Sequence, residues 1–214
     1  MSSPPGRTRA QARAWVRDAV TRPGRRILGL TGPPGAGKST LAAALCADAQ
    51  DQRAGSAVIV GMDAWHLAHS VLVERGLAER KGAPDTFDPA GYADTLARIA
   101  RQRDEPIWVP EFRREIEDAV AGAVEVLPEH RLVITEGNYL LLPGAGWRRA
   151  HAQLDACWYV DVDQQVRLRR LADRHRAYGR APTEAEHRAR VIDEANAVLV
   201  ATYRSRADAV VAAG

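Results

Sequence analysis

Gly32-Pro33-Pro34-Gly35-Ala36-Gly37-Lys38-Ser39 is the stretch that decides the fold, and it follows the apolar run Ile27-Leu28-Gly29-Leu30. It fits the pattern G-x-x-x-x-G-K-[ST] in full, with strand character before it and helix character after it. In such a loop the glycines let successive backbone N–H groups point at phosphate oxygens, and the start of the next helix adds partial positive charge. A glycine-rich turn with a chance lysine is the alternative, and the flanking strand and helix argue against it. The stretch therefore predicts a binding site for a nucleoside triphosphate.

Two side chains of this loop have predicted roles of their own. Lys38 is placed to reach the outer phosphates, and Ser39 is placed to hold Mg²⁺ through its hydroxyl. A nucleoside triphosphate and Mg²⁺ are therefore the expected ligands of the loop. The predicted nucleotide-binding residues are Gly32, Pro33, Pro34, Gly35, Ala36, Gly37, Lys38, Ser39 and Thr40.

Length and composition indicate a single globular domain. The 214 residues suit one domain, and a hydrophobic fraction of 46% is enough for a full core. The net charge of +3 fits nucleic acid and anionic small molecules equally well. The two cysteines lack metal-ligand and redox spacing, the first residues resemble no signal peptide, and no stretch is apolar enough to span a membrane. We therefore expect a cytoplasmic protein without a membrane partner.

The order of apolar segments predicts the fold class. Several short apolar runs lack strict alternation and are separated by helical patterns, which indicates a parallel sheet covered by helices on both faces. We expect an α/β domain over residues 1–214, with a loose tail at 1–7 and a small hairpin within 110–127. The predicted strands are 27–31, 57–60, 107–109, 131–135, 156–160 and 209–211, and the predicted helices are 9–20, 39–49, 91–102, 166–177 and 184–201.

Asp63 comes just after the second predicted strand, in Gly61-Met62-Asp63-Ala64-Trp65-His66-Leu67. Groups at the carboxyl ends of parallel strands face the ligand crevice. A carboxylate there can accept the proton of an attacking hydroxyl, which is the general-base role in phosphoryl transfer to an alcohol. The alternative is that Asp63 caps the following helix. The phosphate loop favours the base.

Glu136 ends the apolar strand Leu132-Val133-Ile134-Thr135. A hydrophobic strand that ends in an acid, downstream of a phosphate loop, is the expected place for a side chain that orients Mg²⁺ or its water shell. An exposed acid at a strand end is the alternative. The loop favours the magnesium role.

Five arginines fall within residues 167–176. On a helix Arg170 and Arg174 are four residues apart and share a face, so they can close over the phosphates and neutralise charge that builds up during transfer. A solvated basic face is the alternative. Nucleic-acid binding is less favoured, because no aromatic residues interleave with the arginines to stack bases. We interpret the segment as part of a lid.

These motifs together resemble the family of P-loop kinases that includes uridine kinase, phosphoribulokinase and bacterial type I pantothenate kinase. Met62–Leu67 resembles the family's Asp-Gly-Phe segment, with Ala64 in place of the glycine, and Glu136–Tyr139 resembles its Glu-Gly segment. Arg80–Asp88 is similar to the run Arg-Lys-Gly-Phe-Pro-Glu-Ser-Tyr-Asp of pantothenate kinases. The resemblance, which extends to the uncharacterised nucleoside/nucleotide kinase family proteins, implies a three-layer P-loop NTPase fold with a helical lid at about 164–182.

The resemblance also implies where an acceptor would bind. Characterised members carry Pro-x-Tyr after the third strand, whereas this chain has Pro110-Glu111-Phe112-Arg113-Arg114. A paired arginine suits an acceptor with a carboxylate or phosphate. Asn196 falls where pantothenate kinases carry an asparagine near the acceptor. The residues expected at the acceptor are Asp85 or Asp88, Arg113, Arg114, Tyr139 and Asn196.

We therefore expect an ATP-dependent kinase whose acceptor is a small metabolite: a nucleoside, a pantothenate-like compound or a sugar. A nucleotide-dependent binding or regulatory module that transfers no phosphate is the alternative from another class. The acids at Asp63 and Glu136 argue against it, since a binding module has less need for a base. We expect no nucleic-acid partner, and the sequence leaves open whether the chain forms a homodimer.

Overall fold

The computed structural model describes residues 3–177 and 181–212, with Ala185 described by its backbone alone. Within these ranges the strands are β1 (Gly6–Arg7), β2 (Arg26–Thr31), β3 (Ala57–Gly61), β4 (Ile107–Arg113), β5 (Asp118–Val126), β6 (Leu132–Glu136), β7 (Ala156–Asp161) and β8 (Ala209–Ala212). The α-helices are α1 (Arg9–Thr21), α2 (Lys38–Gln52), α3 (His69–Glu74), α4 (Pro89–Arg101), α5 (Ala145–His151), α6 (Gln164–Ala177) and α7 (Pro182–Thr202). Short 3-10 turns occupy Met62–Trp65, Ala78–Arg80, Pro84–Thr86 and Arg204–Arg206.

A parallel sheet forms the centre of the molecule. Among the described residues its strand order is β1-β8-β7-β2-β6-β3, and every neighbouring pair is parallel. The two faces are covered separately: Leu28 of β2 packs with α1 and α2, whereas Ile27 packs with α4 and α5. This arrangement confirms the predicted three-layer α/β fold. It also brings the ends of β2, β3 and β6 to one edge of the sheet.

Helical periodicity located the faces that cover the sheet. Ala12, Val16, Ala19 and Val20 of α1 are buried, as the apolar stripe predicts. Thr8 caps this helix, because its side chain accepts from the N–H of Gln11. The apolar face of α4 is likewise buried through Tyr92, Leu96 and Ile99.

Between α4 and β6 the chain leaves the central sheet and forms an antiparallel hairpin of β4 and β5. The hairpin within 110–127 is confirmed, and its first strand begins earlier than expected, at Ile107. The register shifts between Val109 and Glu111, where Pro110 interrupts the ladder. This bulge sits on the strand that carries Phe112 and the two arginines beyond it.

Two expectations about the ends of the molecule need correction. Gly6 and Arg7 pair with Val210 and Val211, so the loose tail expected at 1–7 is wrong for these two residues. The pairing is non-local, and two residues carry no alternation that a sequence pattern could reveal. Of the expected lid at 164–182, α6 and the start of α7 are helical, and residues 178–180 lie outside the described residues.

Within the described residues, no helix combines the length and the apolar character needed to cross a bilayer.

Arg25, directly before β2, hydrogen-bonds to three separate backbone segments at the amino end of the sheet. Its buried guanidinium donates to the backbone carbonyls of Ile99 (2.9 Å), Leu127 (2.6 Å) and His130 (2.9 Å). Burial lowers the pKa of Arg25 to about 10, so the side chain stays charged at neutral pH and the carbonyls satisfy its donors. The side chain of Arg25 therefore holds α4 to the loop that enters β6.

Replacing Arg25 with Met should destabilise the protein by about 2–4 kcal/mol, because three buried carbonyls lose a charged donor. For a chain of this size that corresponds to a melting temperature lower by roughly 4–16 °C. The matched control is Arg98→Met, since Arg98 lies exposed on α4 and pairs with Glu105 at 3.7 Å. We expect the control to cost under about 1 kcal/mol. The measurement is thermal unfolding. Equal losses of stability in Arg25→Met and Arg98→Met would contradict this role of Arg25.

Candidate active site

The predicted phosphate loop connects β2 to α2 and depends on glycine at defined positions. Gly35 (φ 78°) and Gly37 (φ 87°) adopt left-handed backbone conformations, and Gly37 is the N-cap of α2. A Cβ on Gly35 would lie 2.8 Å from Leu171 Cγ, so α6 packs directly on the loop. The loop backbone and the first turn of α2 therefore present their N–H groups beside the lid helix.

Lys38 is buried against this loop. Its Nζ donates to the carbonyl oxygens of Gly32 and Pro33, both at 3.1 Å, and to Asn138 Oδ1 at 2.6 Å. Burial lowers the pKa of Lys38, while the nearby carboxylates of Glu136 and Asp63 oppose that shift. Asn138 lies two residues after the end of β6, so the ammonium group is fixed between the loop and the end of the neighbouring strand.

Ser39 and Glu136 form a pair of oxygen ligands at the same edge. Ser39 Oγ donates to Glu136 Oε1 at 2.9 Å. Burial raises the pKa of Glu136, as does the charge of Asp63, and Lys38 opposes both effects. A hydroxyl beside a carboxylate is the donor set that Mg²⁺ prefers, so these two residues fit the predicted magnesium role.

Asp63 lies in the 3-10 turn that follows β3. The turn is capped by Gly61, and α3 is capped by Ala68, so the alternative that Asp63 caps a helix is wrong. Its carboxylate is one-third exposed and faces Arg114, with Nη2 and Oδ2 3.5 Å apart. In the sheet Gly61 pairs with Glu136, which brings the turn with Asp63 next to the predicted metal ligands.

These groups face one cleft of about 990 Å³. The phosphate loop and the ends of β3 and β6 form its floor, α6 and α7 form one wall, and the hairpin and the loop before α4 form the other. The predicted site residues that line it are Gly35, Gly37, Lys38, Ser39, Thr40, Asp63, Arg114, Glu136, Arg170, Arg174 and Asn196, together with Pro34.

The two predicted lid arginines, Arg170 and Arg174, both lie on the cleft side of α6. The helix is held to α7 by an ion pair between the buried Arg167 and Glu194, and by His175 Nε2, 2.8 Å from Asp193 Oδ2. Arg170 is exposed and Arg174 is half-buried, and both line the cleft, so the lid role of these two arginines stays a prediction. The sequence placed Arg167 in the same basic run, and the structure gives it a packing role instead.

The two candidate acids of the loop before α4 do not line the cleft. Asp88 is the N-cap of α4, since its Oδ1 accepts from the N–H groups of Ala90 (3.1 Å) and Gly91 (2.9 Å). Asp85 is exposed and pairs with Arg80, with Nη1 and Oδ2 3.1 Å apart. An aspartate directly before Pro89 is a common helix start, and this signal explains Asp88 without an acceptor.

Of the paired arginines, Arg114 lies in the cleft and Arg113 does not. Arg114 begins the turn that follows β4 and lies 5.9 Å from the ring of Phe112, and both of these side chains line the cleft. Arg113 is exposed and pairs with Glu111, with Nε and Oε2 3.2 Å apart. The expectation of two arginines at the acceptor is therefore wrong for Arg113.

Tyr139 is fully buried and does not line the cleft, whereas Asn196 does. The Tyr139 hydroxyl donates to the carbonyl oxygen of Gly82, and Asn196 Nδ2 lies 3.4 Å from the same oxygen. Phe87 and Trp147 pack their rings against that of Tyr139. Tyr139 thus lies beneath the cleft floor, in contact with the loop that precedes α4.

Sequence reasoning missed three further residues that line the cleft beside Asp63: His66, Lys81 and Phe112. The ring of His66 stacks on Phe87 at 3.8 Å and lies 5.1 Å from Phe112, and its Nδ1 is 2.9 Å from the backbone oxygen of Asp63. Burial lowers the pKa of His66, which favours the neutral ring. Two of them could have been found by their closeness in sequence to predicted site residues, since His66 follows Asp63 by three residues and Phe112 precedes Arg114 by two.

Comparisons with known proteins agree with this geometry. The chain is 36% identical over 168 residues to a protein of Schizosaccharomyces pombe with the provisional name of uridine kinase, which covers 76% of this chain and 71% of that protein. It is 34% identical over 146 residues to an ATP-dependent kinase-like protein of Aspergillus versicolor, covering 64% and 84%. The crystal structure of a provisionally named fructose transport system kinase from Silicibacter sp. TM1040 superposes with a TM-score of 0.82 and 38% identity, covering 92% and 98%. No protein-family model matches the chain.

The motifs, the sheet order and these relatives lead to one conclusion. The phosphate loop, the acids at the ends of β3 and β6 and the lid arginines lie in one cleft. Relatives at this identity, matched over most of both chains, are named as kinases. The chain therefore belongs to the P-loop kinase family of uridine kinase and its relatives, and it is a kinase that uses ATP.

Proposed function

We propose that the protein transfers the γ-phosphoryl group of ATP to a hydroxyl group of a small metabolite. The observation that carries this proposal is the placement of Asp63 beside the Ser39–Glu136 pair at the ends of the adjacent strands β3 and β6. A carboxylate next to the metal ligands and open to the cleft is positioned to accept the proton of an acceptor hydroxyl.

The residues proposed to bind the phosphates of ATP belong to the phosphate loop or lie next to it. Lys38 and the backbone N–H groups at the start of α2 bind the phosphates, and Arg170 and Arg174 offset negative charge from the lid side. Ser39 and Glu136 would hold Mg²⁺, which neutralises phosphate charge when it is bound. A cytoplasmic location, where ATP and Mg²⁺ are supplied, is part of this proposal.

The acceptor end combines aromatic faces with a few polar groups. His66 and Phe112 form a ring surface beside Asp63, and Arg114 adds a charged donor. If the Nδ1–H of His66 donates to the Asp63 carbonyl, as the 2.9 Å contact supports, its Nε2 is left as an acceptor for a hydroxyl. A hydroxylated compound with an apolar face, as in a sugar, a nucleoside or a pantothenate-like molecule, fits this surface.

The test is a coupled assay of ADP release over a panel of nucleosides, sugars and pantothenate, at fixed ATP and Mg²⁺. We expect at least one panel member to stimulate ADP release well above the rate without acceptor, and mass spectrometry to show the phosphorylated product. The Ser39→Ala protein serves as the inactive control, because it lacks a proposed metal ligand. If no member of such a panel stimulates ADP release, a nucleotide-dependent binding module becomes the better description.

A further inference from the structure

We propose that Lys81 is a positioning residue that ties the loop before α4 to the tip of the β4–β5 hairpin, and that Tyr139 and Asn196 set its place by holding the neighbouring carbonyl of Gly82. This deepens the proposed function, since the hairpin tip carries Arg114, the partner of Asp63. Tyr139 and Asn196 then act through the backbone of the loop, which differs from the direct acceptor contact that the sequence suggested.

The first observation is the contact set of Lys81. Its Nζ donates to the backbone carbonyl of Glu117, lies 3.8 Å from Glu117 Oε2, and sits 5.4 Å from the centre of the Phe112 ring. The side chain is 13% exposed, so these contacts are made in a largely desolvated place. Glu117 has a φ of 52° at the turn of the hairpin, where its N–H reaches the Arg114 carbonyl at 3.3 Å. Lys81 therefore satisfies a strained turn that directly follows Arg114.

The second observation is the support beneath Lys81. The carbonyl of Gly82 accepts from the buried Tyr139 hydroxyl and faces Asn196 Nδ2 at 3.4 Å. The N–H of Gly82 donates to Thr86 Oγ1 at 3.1 Å, so both backbone polar groups of this residue are held. Gly82 has a φ of 100°, which favours glycine, and its fixed peptide sets the direction in which Lys81 leaves the loop.

The third observation is composition. Of the 30 lysines and arginines in the chain, two are lysines, Lys38 and Lys81, and both line the cleft. Lys38 occupies a position where the motif requires a compact ammonium group. Lys81 has a similar environment, with its ammonium placed between a backbone carbonyl, a carboxylate and an aromatic face. A planar guanidinium has a different donor geometry and suits this place less well.

The contacts that run from Tyr139 and Asn196 through Gly82 and Lys81 to the hairpin form one path, and this path also reaches the lid helices. Asn196 lies on α7, and α7 is paired with α6 through Glu194 and Arg167. Movement of the helix pair that carries Arg170 and Arg174 is therefore transmitted to Gly82, then through Lys81 to the hairpin tip. The position of Arg114, the partner of the proposed base Asp63, then depends on the contacts that Lys81 and Tyr139 make with the backbone.

The experiment compares Tyr139→Phe, Lys81→Met and the double variant by amide hydrogen exchange of the full chain, without ligand. We expect exchange in peptides covering residues 113–119 to rise about fivefold in each single variant, because a hydrogen-bonded support is lost. The double variant should show no more exchange there than Lys81→Met alone, since both changes break one path.

The matched control is Tyr92→Phe. Tyr92 is equally buried, but its hydroxyl bonds to Thr135 Oγ1 on β6, at 2.6 Å, and not to the Gly82 carbonyl. We expect this control to leave exchange at 113–119 unchanged. Unchanged exchange in Tyr139→Phe, an equal rise in Tyr92→Phe, or additive effects in the double variant would each overturn the proposal.

A kinetic arm links the path to the reaction. With an acceptor identified in the panel, Lys81→Met and Tyr139→Phe should raise the acceptor KM about fivefold or more and leave the ATP KM unchanged. A rise in both KM values would point to a general structural defect and contradict a positioning role. Because the exchange arm needs no substrate, failure of the proposed kinase reaction would leave the test of the path intact.

Discussion

Asp63→Asn should reduce kcat by about 10²–10⁴-fold while the protein still binds ATP, because the variant removes a general base and keeps the shape of the side chain. Asn can still accept a hydrogen bond from Arg114, which faces Asp63 at 3.5 Å. The loop residues around Lys38 are not changed. The measurement is steady-state kinetics with the acceptor identified in the panel, together with the melting-temperature shift caused by ATP and Mg²⁺.

The control for this variant is Asp85→Asn. Asp85 is an exposed carboxylate that pairs with Arg80 and lies outside the cleft lining, so its loss should change kcat less than twofold or so. A kcat within tenfold of the wild-type value in Asp63→Asn would remove Asp63 from the role of base. A loss of the ATP-induced shift would instead assign it to nucleotide binding.

Local patterns predicted most of the fold, because they report on burial along a single element. The apolar runs located β2, β3, β6 and β7 within about one residue, and helical periodicity located the buried faces of α1 and α4. The strand at Gly6–Arg7 was missed because it exists through its pairing with β8. The helix α5 was missed because seven residues, with Gly144 as the N-cap and Gly146 in the first turn, carry too little periodicity.

The part of the site that would bind ATP was also predictable from local patterns, since Lys38, Ser39 and Glu136 lie at fixed places around a motif. The acceptor end was not, because it is built by segments far apart in the chain. Whether Arg113 or Arg114 enters the cleft depends on how far β4 continues past its bulge. The partner of Tyr139 lies 57 residues away, at Gly82. Such contacts leave no trace in the spacing of a single sequence.

Lys38→Met should weaken ATP binding by about 10- to 100-fold, because the ammonium group that the loop fixes near the phosphates is lost. The protein without ligand should keep its melting temperature within a few degrees. Replacing Lys38 removes a buried charge, whose cost the lowered pKa of Lys38 reflects, but leaves the oxygens of Gly32, Pro33 and Asn138 without that donor, and the two effects oppose each other.

The readout for Lys38→Met is the melting-temperature shift at a fixed concentration of ATP and Mg²⁺. A ligand at 100 times its Kd stabilises the folded state by about 2.7 kcal/mol, and a ligand at its Kd by about 0.4 kcal/mol. The shift should therefore fall from roughly 5–10 °C to about 1–2 °C for a 100-fold loss of affinity, and to about 3–6 °C for a tenfold loss. Lys81→Met, the change of the other lysine, should retain the full shift, because Lys81 contacts the hairpin and not the phosphate loop. Equal losses in both variants would mean that nucleotide affinity follows the charge of the whole cleft, and that Lys38 has no specific contact with phosphate.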